Sequence, residues 1–536
     1  MIKSQILFHK GECMKKKIAF LLIALSAFVF ALTGCGKKVD VLSDIGGKVS
    51  AGNGTAVVEK GDYVYFVNGK EAVSASNKIG TPVKGSLMRV KKSELNKPET
   101  ANYETVINKL FISGQYDSGL YFFGNTVYFA SPYTEKDKAG NVQNTKTAFK
   151  KYDLSSGKYD EKDNIAICDD NTAKYVFAEK EGKVYLTYAA KNDDGNTILK
   201  CVSADDGKEV FTSDVYASAT FSKANDGKVF FTKTGYSESL KKDESFNSVY
   251  YYETGATEAK LVLSGVGTSA EARDKNQYTD IEGVKYVVPG EDTSSTYQGA
   301  KFDFISFNGN YLIFSATTVG NSTKNYYGID VTGGVTTLKD ADSLGLSSAN
   351  TTDKAITATS YYKSLEEIYY IDSSYGLVKF TPNKNIGEET PGVIVSDECS
   401  SLTIMFVDGD VMYLANTSEG IYYQYKYTVK DAKIRKINAA AMTTASDYFV
   451  PRVIGGQYFI GNYSADQYGK YAYVINMAGI DDAAAEGEED NAYAKALAEN
   501  AKSTRSATKA LYAQRLGLIT DADKTAYEEY LNGLSE

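Results

Sequence analysis

Gly61-Asp62-Tyr63-Val64-Tyr65-Phe66 is a turn followed at once by a run with no polar break. Gly and Asp supply the backbone conformations of a tight turn. A short continuous run of apolar and aromatic residues bounded by such a turn reads as a strand covered on both faces. The pattern recurs along the chain. It returns at Gly124-Asn125-Thr126-Val127-Tyr128-Phe129, at Gly182-Lys183-Val184-Tyr185-Leu186 and at Asp226-Gly227-Lys228-Val229-Phe230-Phe231. Further on come Asn308-Gly309-Asn310-Tyr311-Leu312-Ile313-Phe314, Leu365-Glu366-Glu367-Ile368-Tyr369-Tyr370, Asp408-Gly409-Asp410-Val411-Met412-Tyr413 and Gly455-Gly456-Gln457-Tyr458-Phe459-Ile460.

From Val64 through Val127, Val184, Val229, Leu312, Ile368 and Val411 to Tyr458, the steps are 63, 57, 45, 83, 56, 43 and 47 residues. Propeller blades repeat at about 40 to 50 residues. The shorter steps fit directly and the longer ones call for insertions. The step of 83 holds another strand-like run, Val284-Lys285-Tyr286-Val287-Val288, which reads as a possible degenerate blade. A second run follows most of the hits, as in Ser86-Leu87-Met88-Arg89-Val90, Ile198-Leu199-Lys200-Cys201-Val202 and Tyr422-Tyr423-Gln424-Tyr425-Lys426-Tyr427. Strand, loop, strand and turn in this rhythm make a meander. An antiparallel sheet with two apolar faces cannot bury both alone, and radial stacking covers each face with the next sheet. The expected fold is therefore all-β, a β-propeller of seven or eight antiparallel blades over residues 55–478. A pair of β-sandwich domains is the alternative.

The turn-strand-strand unit resembles that of bacterial lipoproteins whose propellers are distantly related to the low-density-lipoprotein-receptor type, a family without an established function. Asp153-Leu154-Ser155-Ser156-Gly157-Lys158 and Ser203-Ala204-Asp205-Asp206-Gly207-Lys208-Glu209-Val210-Phe211 resemble the blade ends of quinoprotein-like propellers. Those carry a Trp after the Gly-Lys, and this chain has no Trp. The resemblance implies the fold without the quinone, and no cofactor is expected.

The N-terminus reads as an export signal. Lys15, Lys16 and Lys17 precede an apolar run from Ile18 to Leu32. This run is shorter than the roughly 20 residues of a spanning helix. It ends in Leu32-Thr33-Gly34-Cys35, which resembles the lipobox of bacterial lipoproteins. The resemblance implies cleavage between Gly34 and Cys35, a lipid on the Cys35 thiol, and a place on the extracytoplasmic face of the cell membrane. Residues 1–34 are then leader and signal, with Met14 the expected start, and 35–54 a lipidated tether.

Cleavage removes five Lys and one Glu, which takes the net charge from −9 to −13. An acidic chain without basic blocks argues against nucleic acid as a partner. The 43 Tyr and 24 Phe argue for a packed core. The single histidine, His9, lies in the leader, so the mature chain holds no His-based triad and no metal centre that relies on imidazole. Beside Cys35 stand Cys168, Cys201 and Cys399, read as small half-buried side chains. A Cys168–Cys201 bridge is left open.

The acidic turns Asn192-Asp193-Asp194-Gly195-Asn196 and Asp408-Gly409-Asp410 lack EF-hand spacing and read as ordinary turns, with no metal site expected. The pairs Tyr361-Tyr362 and Tyr422-Tyr423 read as core or sheet surface ahead of a sugar- or peptide-gripping role. Residues 479–490 form an acidic linker. Tyr493, Leu497 and Ala501, then Tyr527, Tyr530, Leu531 and Leu534, predict a helical hairpin over 491–536. No catalytic residue stands out. The expectation is a chain that is not an enzyme, a binding or scaffolding module for an unknown protein or glycan. A carbohydrate-active enzyme using channel carboxylates and Tyr, and an envelope-assembly factor, are the alternatives.

Overall fold

A computed structural model describes residues between Ile45 and Gly479. It omits Gly46 and segments between strands, the longest being 69–84, 108–118, 265–284, 287–299, 340–354 and 382–392. The strands form eight sheets in chain order. In each sheet consecutive strands are neighbours, and the pairing is antiparallel except at one outer edge. Each of the eight turn-strand motifs supplies a strand at an equivalent place, the second strand of its meander, which in sheet one is preceded by the added strand Val49–Ala51. Examples are Tyr63–Val67 in sheet one, Thr126–Lys136 in sheet two and Gln457–Ala465 in sheet eight. The fold is a β-propeller.

The reason is visible in sheet one. All five residues of Tyr63–Val67 are buried, so both faces of the strand are covered. One apolar cluster joins sheets one and two through Val64, Phe66, Phe122 and Phe129, and it also takes in Ile454 of sheet eight. Further clusters join sheets two, three and four, then four and five, five and six, and six and seven. The first strands of neighbouring sheets lie against each other, Ser218–Phe221 against Ala300–Phe307 and Thr403–Asp408 against Tyr448–Ile454, which places them nearest the axis.

Polar side chains also tie sheet to sheet. Asn53 treats Phe122 as a strand would, its Oδ1 accepting from the Phe122 N–H at 2.6 Å and its Nδ2 donating to the Phe122 carbonyl at 3.2 Å. Asn247 repeats the device on Phe302, at 2.7 and 3.0 Å. Lys151 of sheet two donates to the Ala204 carbonyl of sheet three at 2.9 Å, and Lys228 of sheet four to the Gly309 carbonyl at 3.2 Å. Where Gly227 turns, at φ +67°, a Cβ would come within 2.7 Å of the Ala178 Cβ on the next sheet. Only glycine fits that approach.

Alternating strand direction gives the ring two unlike faces. The turns between first and second strands, such as Gly61-Asp62, and those between third and fourth, such as Asp205-Asp206-Gly207, emerge on one, the turn face. The hairpins between second and third strands emerge on the other, the hairpin face. Two of these are long: Thr126–Lys136 pairs with Val142–Asp153, and Lys228–Ser237 with Lys242–Glu253.

The run expected at Val284–Val288 does not found a further sheet. Its described part, Lys285–Tyr286, pairs parallel with Lys260–Ser264 on the outer edge of sheet four. The long step between Val229 and Leu312 is thus an insertion carrying one added edge strand. The signal, Cys35, most of the tether, the acidic linker and the expected helical hairpin lie outside the described residues.

Candidate functional site

The most developed polar constellation sits in sheet one. Leu87–Lys91 is an apolar strand interrupted by Arg89. The register sets Arg89 opposite Tyr65 on one side and Glu104 on the other. Cross-strand partners share a face, so three polar groups meet. The Arg89 side chain is fully buried. Its Nε donates to Glu104 Oε2 at 2.7 Å, an Nη to the Tyr65 hydroxyl at 3.3 Å, and the guanidinium lies 4.0 Å from the centre of the Tyr63 ring. Burial opposes the charge, but Tyr65 and Glu104 outweigh it and hold the guanidinium more firmly protonated than usual. A planar fork with several donors suits this site where a point charge would not.

The line continues to the N-terminal segment. The Tyr65 hydroxyl donates to the Ile45 carbonyl at 3.4 Å. The buried Lys60 ammonium donates to the carbonyls of Ile45 at 2.9 Å and Gly47 at 2.7 Å. Glu104, Arg89, Tyr65, Ile45 and Lys60 thus form one chain of hydrogen bonds. Each member is engaged, and the arrangement clamps the backbone entering from the tether. It holds a segment in place and is not set up to relay protons.

A second cluster lies on sheet six. Glu367 Oε1 accepts from the Tyr369 hydroxyl at 2.5 Å and faces the ammonium groups of Lys363 at 3.2 Å and Lys379 at 3.6 Å. Partial burial works to raise its pKa, yet Tyr369 and the two lysines together hold it below the usual range. Tyr369 is buried and stacks with Tyr361, ring centres 6.2 Å apart. This carboxylate is an anchor for its neighbours rather than a base.

The residues singled out in the sequence fall as follows. Gly34 and Cys35 lie outside the described residues, as does Cys399. Cys168 and Cys201 are buried thiols with no disulfide between them. Cys168 Sγ donates to the Ala189 carbonyl at 3.0 Å, while Cys201 stands opposite Thr187. Tyr362 is core, its hydroxyl donating to the Thr357 carbonyl at 2.8 Å, and Tyr361 is half-buried. Tyr422 and Tyr423 lie in Ile421–Thr428, a strand paired on both sides. In the turn after Lys191, Asn192 Oδ1 accepts from the N–H groups of Asp194 and Asn196 at 3.1 and 2.8 Å. Asp408 and Gly409 make a strand turn, with Gly409 at φ +57°. None of these joins the Arg89 line. Sequence reasoning passed over Lys60, Arg89 and Glu104. The signal available was a cation inside the apolar run Leu87-Met88-Arg89-Val90, facing the Tyr63-Val64-Tyr65 strand.

No family model matches the chain, and no curated protein matches it. Among solved structures, one from a study of two prolyl endopeptidases shares 12% identity, covers 81% of this chain and 54% of its own, and has a TM-score of 0.36. Oligopeptidase B from Leishmania major shares 9%, with 79% of this chain and 53% of its own covered and a TM-score of 0.38. The β-propeller domain of the Trilobed protease from Pyrococcus furiosus shares 10%, with 69% and 93% covered and a TM-score of 0.31. The chain spans about half the length of the first two. The likeness is one of fold. The expectations that the chain is not an enzyme, and that it is a non-enzymatic binding or scaffolding module, are corrected on these neighbours, which are peptidases or part of one.

Proposed function

We propose that the chain is the propeller part of an extracytoplasmic peptide-hydrolysing enzyme, held to a membrane by a lipid on Cys35. The observation that carries this reading is how the ring closes. The N-terminal strand Val49–Ala51 pairs within sheet one, with Val57–Lys60. Sheet eight meets sheet one through side chains, Ile454 entering the sheet-one cluster and Tyr63–Val67 lying against Tyr471–Gly479. Among the described residues no ladder pairs sheet eight with sheet one, and such a seam opens without breaking ladder hydrogen bonds. An extended polypeptide is thin enough to pass it, and sheet edges pair with an added main chain. Unfolded peptide is therefore the substrate class.

The mature chain has no histidine, so a Ser-His-Asp centre is not built from its own residues. Proton transfer falls to carboxylates and tyrosines of the ring or to a second chain that completes the enzyme. The test compares membranes from cells with and without this chain, using internally quenched peptides. Hydrolysis is expected to fall when the chain is missing. It is expected to move to the soluble fraction in the Cys35→Ser variant. Equal hydrolysis with and without the chain overturns the reading.

A further inference from the structure

The clamp on the N-terminal segment fixes where the tether leaves the ring. Val49 pairs with Lys60, and the Gly61 N–H donates to the Lys48 carbonyl at 3.0 Å. A Cβ on Gly47 would lie 3.6 Å from the Gly61 Cα. Residues 47 and 48 therefore flank the turn Gly61-Asp62, on the turn face. They sit at the inner edge of sheet one, because they lead into Val49–Ala51, which pairs with Val57–Lys60 on the side away from Tyr63–Val67 and so stands nearest the axis. The Lys60 and Tyr65 hydrogen bonds to Ile45 hold this exit in place.

From this we infer that the protein sits with its turn face toward the membrane and its long hairpins facing away. The inference rests on the proposed lipid at Cys35. Ten residue steps separate Cys35 from Ile45, a reach of at most about 36 Å when fully extended. On the other side, Thr126–Lys136 runs 11 residues from the turn face to the tip of its hairpin. At about 3.4 Å per residue it stands roughly 37 Å tall. A bilayer laid on the hairpin face would have to clear those tips, beyond the reach of the tether. On the turn face the tether is ample. The turns there carry Asp62, Glu181, Asp205 and Asp206, which do not adhere to anionic lipid. Orientation is thus set by the point of attachment and not by charge. The surface offered to partners or to peptide is the hairpin face, with Thr126–Asp153 and Lys228–Glu253 projecting from it.

The test uses the full lipoprotein in membranes carrying an acceptor dye at the headgroups. A donor is attached at Asn125→Cys, on the turn face, or at Ala139→Cys, at a hairpin tip, both exposed. The two sites lie about 40 Å apart along the strand. Energy transfer is expected to be at least about twice as efficient from position 125. Equal transfer, or stronger transfer from 139, overturns the orientation. The Cys35→Ser variant separates the two ideas. If it stays on the membrane, the lipid reading itself fails. If it is released while the labelled lipoproteins keep the expected order, both stand.

Discussion

Glu181 holds a backbone conformation that L residues avoid, at φ +52° with Gly182 following at +74°. Lys180 faces Lys183 across this two-residue turn, so the twist of the strands calls for left-handed geometry at both positions. Glycine meets that demand without strain, Asn meets it well, and Glu does not. Glu181→Asn is expected to raise stability by about 0.5–1 kcal/mol, read as a higher midpoint in denaturant with an unchanged slope. Arg89 is the opposite case, a polar residue whose removal leaves damage. Arg89→Ala is expected to cost about 3 kcal/mol, since Glu104 and Tyr65 lose their partner inside sheet one. Arg89→Lys should recover only part of this, because one ammonium cannot span both partners. Equal stability of the Lys variant and the parent would show that the fork is irrelevant. Arg89 also marks a limit of sequence reading. A cation in an apolar strand is visible in the sequence, but its partners come from strands ending at Val67 and beginning at Glu104, and only the register unites them.

At the scale of the sheet, the sequence carries more. The turn-strand unit is a local signal, since the turn residues and the buried run adjoin, and all eight occurrences became strands. The outer strands were less legible. Ala166–Cys168 and Thr337–Lys339 have three residues each, too few for a period to show. The ties between sheets were not legible at all, because Asn53 and Asn247 look like any loop or surface asparagine. Yet Asn247 is buried and satisfies both the N–H and the carbonyl of Phe302. Asn247→Ala would leave both groups buried without that partner. The expected cost is about 2–4 kcal/mol, from roughly 1–3 kcal/mol per orphaned group with some relaxation. Asn247→Asp keeps the acceptor and loses the donor, so it should fall between the two. If the Ala variant matches the parent in chemical denaturation, the Asn247 bonds add nothing to the packing and the Lys228–Gly309 hydrogen bond that join sheets four and five.

Across the whole ring the wedge between sheets is filled by tyrosine and phenylalanine in a chain that has no Trp, and this gives the molecule a definite response to alkali. Tyr188 packs against Phe149 of sheet two, ring centres 5.1 Å apart. Burial, with Cys168 and Glu209 nearby, pushes its hydroxyl from 10.0 up to about 12. Tyr128 is raised to about 12 as well, by burial and then by Asp205 and Glu179. Tyr252 and Tyr362 move in the same direction, again mainly through burial. In the unfolded chain these hydroxyls ionise near 10, while in the folded ring they keep their protons. The stability they carry is therefore complete below pH 10 and drains away as pH rises toward 12. For Tyr128 and Tyr188 the loss is on the order of 3 kcal/mol each at the top of that window. Chemical denaturation along a pH series should show a plateau that ends near pH 10 and then a steep decline. Tyr188→Phe keeps the ring that fills the wedge and removes the ionisation, so its stability should fall less steeply between pH 10 and 12. Parallel declines for parent and variant would mean that Tyr188 ionises as readily in the ring as in the open chain, and that the wedge between sheets two and three admits water.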